Sequence, residues 1–281
     1  MILRIFVILL TISTVTFGIT KEEIDKQLQE AWQMYEKGKY VSMEKISKKV
    51  VQSSKKINYP KGIAEGYYYI GIAYFMRGKV DKALEYANLA VDYSQKYNNY
   101  RWKAYSHTLV GEILRYLGKY DKALYHFKIS LQLAEDNKNQ KMLPAAYANL
   151  GNIYFDKREY NKAIEYYLKG LEIGKKINIR PSYIALNSYN TGIAHFRLKN
   201  WNKAVKYLQE AYKIYIKLGD KKSAVSSAYF IAKSYYLAGD YWKARQVIEE
   251  NTSLAKQVLQ YRKFKKLLNK INRKLKENEA V

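Results

Sequence analysis

The sequence predicts an all-α protein built from a repeated pair of helices, and three observations carry that reading. A thirteen-residue pattern recurs as "GIAYFMRGKVDKA" from Gly71, "GEILRYLGKYDKA" from Gly111, "GNIYFDKREYNKA" from Gly151, "GIAHFRLKNWNKA" from Gly192 and "AKSYYLAGDYWKA" from Ala232. Successive starts lie 40, 40, 41 and 40 residues apart, and a weaker copy begins at Ala31 in the same register. Self-similarity at such a period marks stacked supersecondary units. Second, 281 residues contain only 3 prolines and 14 glycines, leaving long stretches of good helix formers. Third, Pro60, Pro144 and Pro181 all fall at junctions, where a missing amide is harmless.

The elements follow in order. Residues 1–18 read as an export signal: Arg4 supplies charge, Ile5 to Thr20 carry none, and Thr16 and Gly18 offer small residues for cleavage. The competing reading is an uncleaved anchor. Sixteen residues span about 24 Å as helix against a hydrocarbon core of about 30 Å, which favours cleavage near Ile19.

Six units then run over about 24–63, 64–103, 104–143, 144–184, 185–224 and 225–256. In the second, Tyr67, Ile70, Gly71 and Tyr74 form one buried helical stripe. Gly78 ends that helix, and Asp81 is placed to cap the next, whose stripe is Ala83, Leu84, Ala87, Ala90 and Val91. Small residues at Gly71, Ala83 and Ala90 allow two backbones to approach. "YNNY" at 97, "DNKNQK" at 136 and "LGDKK" at 218 read as turns between units.

From Leu254, a stripe of Val258, Tyr261, Phe264, Leu268, Ile271 and Leu275 predicts one long amphipathic helix, with 257–281 as its basic C-terminal part. Residues 251–281 hold nine Lys or Arg against two Glu. Such a helix either covers the last repeat or lies on an anionic membrane.

These units resemble the tetratricopeptide repeat family. Tyr147, Leu150, Gly151 and Tyr154, followed by Ala163 and Tyr167, match its W-x2-L-G-x2-Y and A-x3-F signature, as do Ala123 and Phe127. The usual tryptophan is replaced by Tyr67, His107, Tyr147, Ser188 and Ala228, and the period is 40 instead of 34. That longer period is similar to those of kinesin light chains and bacterial peptide-sensing regulators. The resemblance implies a right-handed α-solenoid of about six repeats with a capping helix, its first helices lining a concave face.

On that face the expected ligand-binding residues are Tyr68 and Phe75 in the second unit and Glu112 and Arg115 in the third. The fourth contributes Asn149, Asn152 and Phe155, the fifth Tyr189, Asn190 and Phe196, and the sixth Tyr229 and Tyr236. Recurring aromatics either pack on the neighbouring helix or line a groove for an extended or helical peptide. The asparagines can grip a peptide backbone or serve bonds between helices. Glu112 and Arg115 stand where sibling repeats carry neutral residues, Lys or aromatics.

Several chemistries lose their footing. With no cysteine there is no disulfide or thiolate. No zinc-protease, nucleophile-elbow or P-loop spacing occurs, and His107, His126 and His195 read as core residues. No catalytic residue, metal or cofactor is expected. The formal charge of +25 suits an acidic partner or a simply solvated lysine surface. Together these readings predict an exported, non-enzymatic scaffold that binds a protein or peptide and assembles a cell-envelope complex, in the periplasm, the envelope or outside the cell. The alternative is a cytoplasmic peptide-sensing or nucleic-acid-associated regulator, although nucleic acid is the disfavoured partner.

Overall fold

The structure, a computed structural model, describes residues 19–279, and the expected export segment lies outside them. Thirteen α-helices occupy the described residues. The pairs are α1 (Lys21–Glu36) with α2 (Tyr40–Lys56), α3 (Pro60–Met76) with α4 (Val80–Tyr97), and α5 (Tyr100–Tyr116) with α6 (Tyr120–Asp136). Then come α7 (Leu143–Asp156) with α8 (Tyr160–Lys176), α9 (Pro181–Arg197) with α10 (Trp201–Lys217), α11 (Lys221–Leu237) with α12 (Tyr241–Gln257), and the unpaired α13 (Tyr261–Glu279).

Local chemistry sets the helix ends. Thr20 and Glu23 form a reciprocal capping box at α1, satisfying two orphan amides. Asn99 caps α5 by accepting from the amides of Arg101 and Trp102, and Asp220 and Asp240 cap α11 and α12. Asp81 does not cap α4. The cap position is Lys79, so Asp81 sits inside the first turn, where its charge favours the helix dipole instead.

Each of the twelve connections contains one residue with a left-handed backbone. Within pairs these are Gly38, Gly78, Gly118, Arg158, Lys199 and Gly239; between helices of successive units they are Asn58, Asn98, Lys138, Asn178, Gly219 and Leu259. Leu259 corrects the expectation of a single C-terminal helix. Its φ of 59° breaks the chain between α12 and α13, and its side chain is 94% exposed. The hydrophobic stripe continued across the break, so periodicity alone could not reveal it.

Pair packing brings the two halves of the sequence signature into contact. A Cβ at Gly111 would lie 2.7 Å from the Phe127 ring, one at Gly151 2.5 Å from Tyr167, and one at Gly192 2.7 Å from Leu208. The glycine on each first helix thus makes room for the large side chain four residues after the buried alanine of the second. In the second unit that partner is Ala87 and the backbones themselves approach, a Cβ on Gly71 reaching 3.3 Å from the Ala87 amide nitrogen. A stacked ring pair also recurs, as Tyr74 on Tyr86, Tyr154 on Tyr166 and His195 on Tyr207. His195 is therefore a core ring standing where siblings have tyrosine.

Successive first helices approach one another closely, from α1 with α3 through to α9 with α11, whereas second helices reach one another through long side chains, as where Lys175 of α8 pairs with Glu210 of α10 and the Tyr212 hydroxyl of α10 donates to Asn251 of α12. First helices must then lie on the inside of the curve and second helices fan outward. α13 closes the array against α11 and α12, burying Phe264, Leu267, Ile271 and Leu275.

Candidate functional site

Curvature leaves the concave face as the surface shared by all six repeats. The six first helices carry ten Lys or Arg against eight Asp or Glu, so nearly all of the +25 lies elsewhere, on the second helices, the connections and α13. The groove is not a basic trough.

Its middle repeats include one largely buried carboxyl. Glu112 on α5 is held above the usual carboxylate range by burial, with Arg115 opposing the shift. Burial raises Tyr68 on α3 and Tyr35 on α1, and the charge of Glu112 adds to both. Among the described residues Glu112 makes no ion pair, because Arg115 instead binds Asp156 at 2.7 Å and ties α5 to α7.

The twelve sequence-predicted residues separate into groups. Arg115, Asn152, Phe155, Tyr189 and Asn190 share the wall of one cavity of about 400 Å³ with Asp156, Tyr167, Leu186, Ile193 and Phe230. There the Asn152 carbonyl oxygen accepts from Tyr167 at 2.8 Å and from Asn190 at 3.4 Å, which orients both amides. Asn149 is half-buried on the same helix as Asn152, outside that wall. Tyr68 packs edge-on to Trp102 further toward the N-terminus, beside Glu112.

The remainder serve packing more than display. Phe75 meets Tyr116 edge-on, and Tyr236 lies against Tyr241. Tyr229 leans on Phe264 of α13, joining the cap to the last repeat. Phe196 is only 8% exposed and is spent on Trp201 and Phe230, so it belongs to the core. The physical reason is the next repeat, whose Phe230 is large enough to cover it.

A second cavity of about 590 Å³ lies at the N-terminal end, lined by Asp25, Leu28, Gln29, Trp32, Gln33, Lys61, Glu65, Tyr69 and Trp102. None of these was singled out in the sequence, yet a signal existed. Residues three before the first groove position of each repeat are Asp25, Glu65, Tyr105, Ala145, Leu186 and Ser226. One more turn along the same helical face contains the carboxyls of this cavity.

A larger depression, about 980 Å³, lies outside, between α8, α10 and α12. Some of its charges are already spent, Lys175 on Glu210 at 2.5 Å and Lys243 on Asp240 at 2.6 Å. Histidine chemistry is no stronger. His107 and His126 face each other with Nδ1 atoms 2.9 Å apart, and burial together with the His126 charge pulls His107 down to about 4. No cluster of three or more metal-ligating side chains forms among the described residues, and none of their helices is long and apolar enough to cross a membrane.

Solved structures with this architecture include a signal-transduction ATPase with numerous domains and a tetratricopeptide repeat sensor from Pyrococcus horikoshii. It is 17% identical, with a TM-score of 0.78 over 90% of this chain and 39% of that one. BtubC from P. vanneervenii is 17% identical with a TM-score of 0.68, over 85% of this chain and 93% of that one. A Rap protein complexed with competence and sporulation factor is also 17% identical, with a TM-score of 0.64 over 92% and 77%. At that identity the likeness concerns the fold alone. No curated protein sequence matches the chain. The tetratricopeptide repeat profile matches residues 62–136, 102–176 and 183–257, spanning the greater part of the sequence, and the chain belongs to the tetratricopeptide repeat family.

Proposed function

We propose that this protein is a non-catalytic scaffold that holds a protein or peptide segment in its concave groove, outside the cytoplasm, and so helps assemble a cell-envelope complex. One observation carries the binding reading: the cavity where Asn152, Asn190, Tyr189 and Phe155 meet Leu186, which remains 45% exposed. Amides oriented by their own hydrogen bonds, set among rings, can take a peptide backbone and a side chain at once. The neighbour solved with competence and sporulation factor has the same fold, which supports a groove able to hold a ligand. Export rests on the charge and hydropathy pattern of residues 1–18.

Acidity of the partner draws no support from the groove, whose central carboxyl favours the opposite charge. Attachment of α13 to a membrane through its apolar stripe conflicts with packing, because that stripe is buried against α11 and α12. Any attraction to anionic lipid would come from its exposed lysines alone.

The test pairs Leu186→Ala with Asn190→Ala in full-length protein used as bait against envelope extract. We expect capture of the specific partner to fall about tenfold, equivalent to about 1.4 kcal/mol, with helicity unchanged. Undiminished capture would contradict the groove assignment. Fractionation addresses the alternative: full-length protein found in the cytosol would point to a peptide-sensing regulator using the same groove.

A further inference from the structure

The N-terminal cavity holds a carboxyl that the fold leaves without a partner. Glu65 on α3 lines it, is only 5% exposed, and its Oε1 meets no hydrogen-bond donor. The nearest cation in sequence, Lys61 one turn earlier, would ordinarily supply an i,i+4 ion pair. It is engaged elsewhere. Its Nζ donates to Asp25 Oδ2 at 2.7 Å, and the Tyr59 hydroxyl donates to the same carboxylate at 2.9 Å. Asp25 is thereby neutralised, and Glu65 is left as the uncompensated acid.

Such a group is a cost to folding, since a buried polar atom without a partner loses its hydration and gains nothing. An apolar side chain of similar volume would serve packing better. The walls around Glu65 explain what it offers. Trp32, Tyr69 and Trp102 border the cavity, and Trp102 is fixed edge-on to Tyr69 at 6.2 Å and to Tyr68 at 5.4 Å. Trp32 stays 42% exposed. Ring faces carry negative quadrupole density, so a carboxyl among rings attracts a cation and repels an anion. An apolar guest would leave Glu65 as it is.

We propose that this cavity is the subsite for a lysine or arginine side chain of a bound peptide, its cation pairing with Glu65 and lying against Trp32 and Trp102. The proposal rests on the reading of the concave face as a peptide groove, and it adds a charge preference opposite to the one the net charge suggests. The protonation state supports it. Burial raises Glu65 to about 8, with Lys61 lowering it and Asp25 raising it. The other titratable groups near the cavity are Tyr59, Tyr69 and, from α5, Tyr105. At neutral pH an arriving cation therefore displaces a proton from Glu65, and binding strengthens as pH rises toward 8.

Calorimetric titration of the full chain with N-acetyl-arginine amide, N-acetyl-lysine amide and N-acetyl-citrulline amide tests this directly. The first two are expected to bind saturably with proton release, and the neutral citrulline compound about tenfold more weakly. Glu65→Gln, nearly the same shape, should lose the preference for a cation while keeping the wild-type helicity, and Trp32→Ala should weaken both cationic probes. Equal binding of citrulline and arginine, unchanged cation binding in Glu65→Gln, or no saturable binding of any probe would overturn the subsite. Partner capture through Leu186 and Asn190 reads the groove separately, so the two ideas fail independently.

Discussion

Glu65 shows how a single residue separates what the fold needs from what a ligand would use. Its carboxyl titrates near 8 in the folded chain against an ordinary value of 4.5, so the folded state holds that proton more tightly than the unfolded one. Stability from this group is fully present below pH 4.5 and is lost as pH rises through 8. Glu65→Gln removes the penalty. Urea unfolding should show the variant more stable than wild type by about 3 kcal/mol at pH 7 but by under about 1 kcal/mol at pH 5. A gap that did not change with pH would mean Glu65 finds a partner in solution. His107, held near 4, acts in the opposite direction, which is why the difference between variants is the quantity to measure.

At the scale of elements, turns decide where helices stop. Four of the six turns within pairs use glycine for their left-handed residue, whereas Arg158 and Lys199 adopt φ of 63° and 59° at the cost of crowding Cβ against the carbonyl. Arg158→Gly and Lys199→Gly should each stabilise the protein by about 0.5–1 kcal/mol, read from the denaturation midpoint. A loss of stability would show that those side chains contribute more than their backbones cost. The same turns explain what the sequence could reveal. Helix pairs were legible because glycine, proline and asparagine punctuate a strict period. The break at Leu259 was not, because leucine in a left-handed turn leaves no compositional mark and the apolar stripe runs through it.

For the whole molecule, the superhelix turns six ordinary amphipathic pairs into one groove, and curvature is what the sequence conceals most. Arg115 lines the groove cavity, and the approach of α7 sets Asp156 against it. Phe196 was expected in the groove, but the next repeat brings Phe230 over it. Asn152 and Asn190 were legible as groove candidates, while their mutual hydrogen bond depends on the spacing of α7 and α9. Charge was misleading for a related reason. The net +25 is shared among the second helices, the connections and α13, whereas the first helices are nearly balanced and carry Glu65 and Glu112.

The proposed function holds partners on the inside of this curve. Site-specific photocrosslinking in cells states it most directly, with a benzophenone amino acid replacing Leu186 in the groove or Tyr125, 64% exposed on the outward α6. One dominant adduct is expected from position 186, diminished when Asn190→Ala is added, and none of that mass from position 125. The same adduct from position 125 with none from 186 would contradict it.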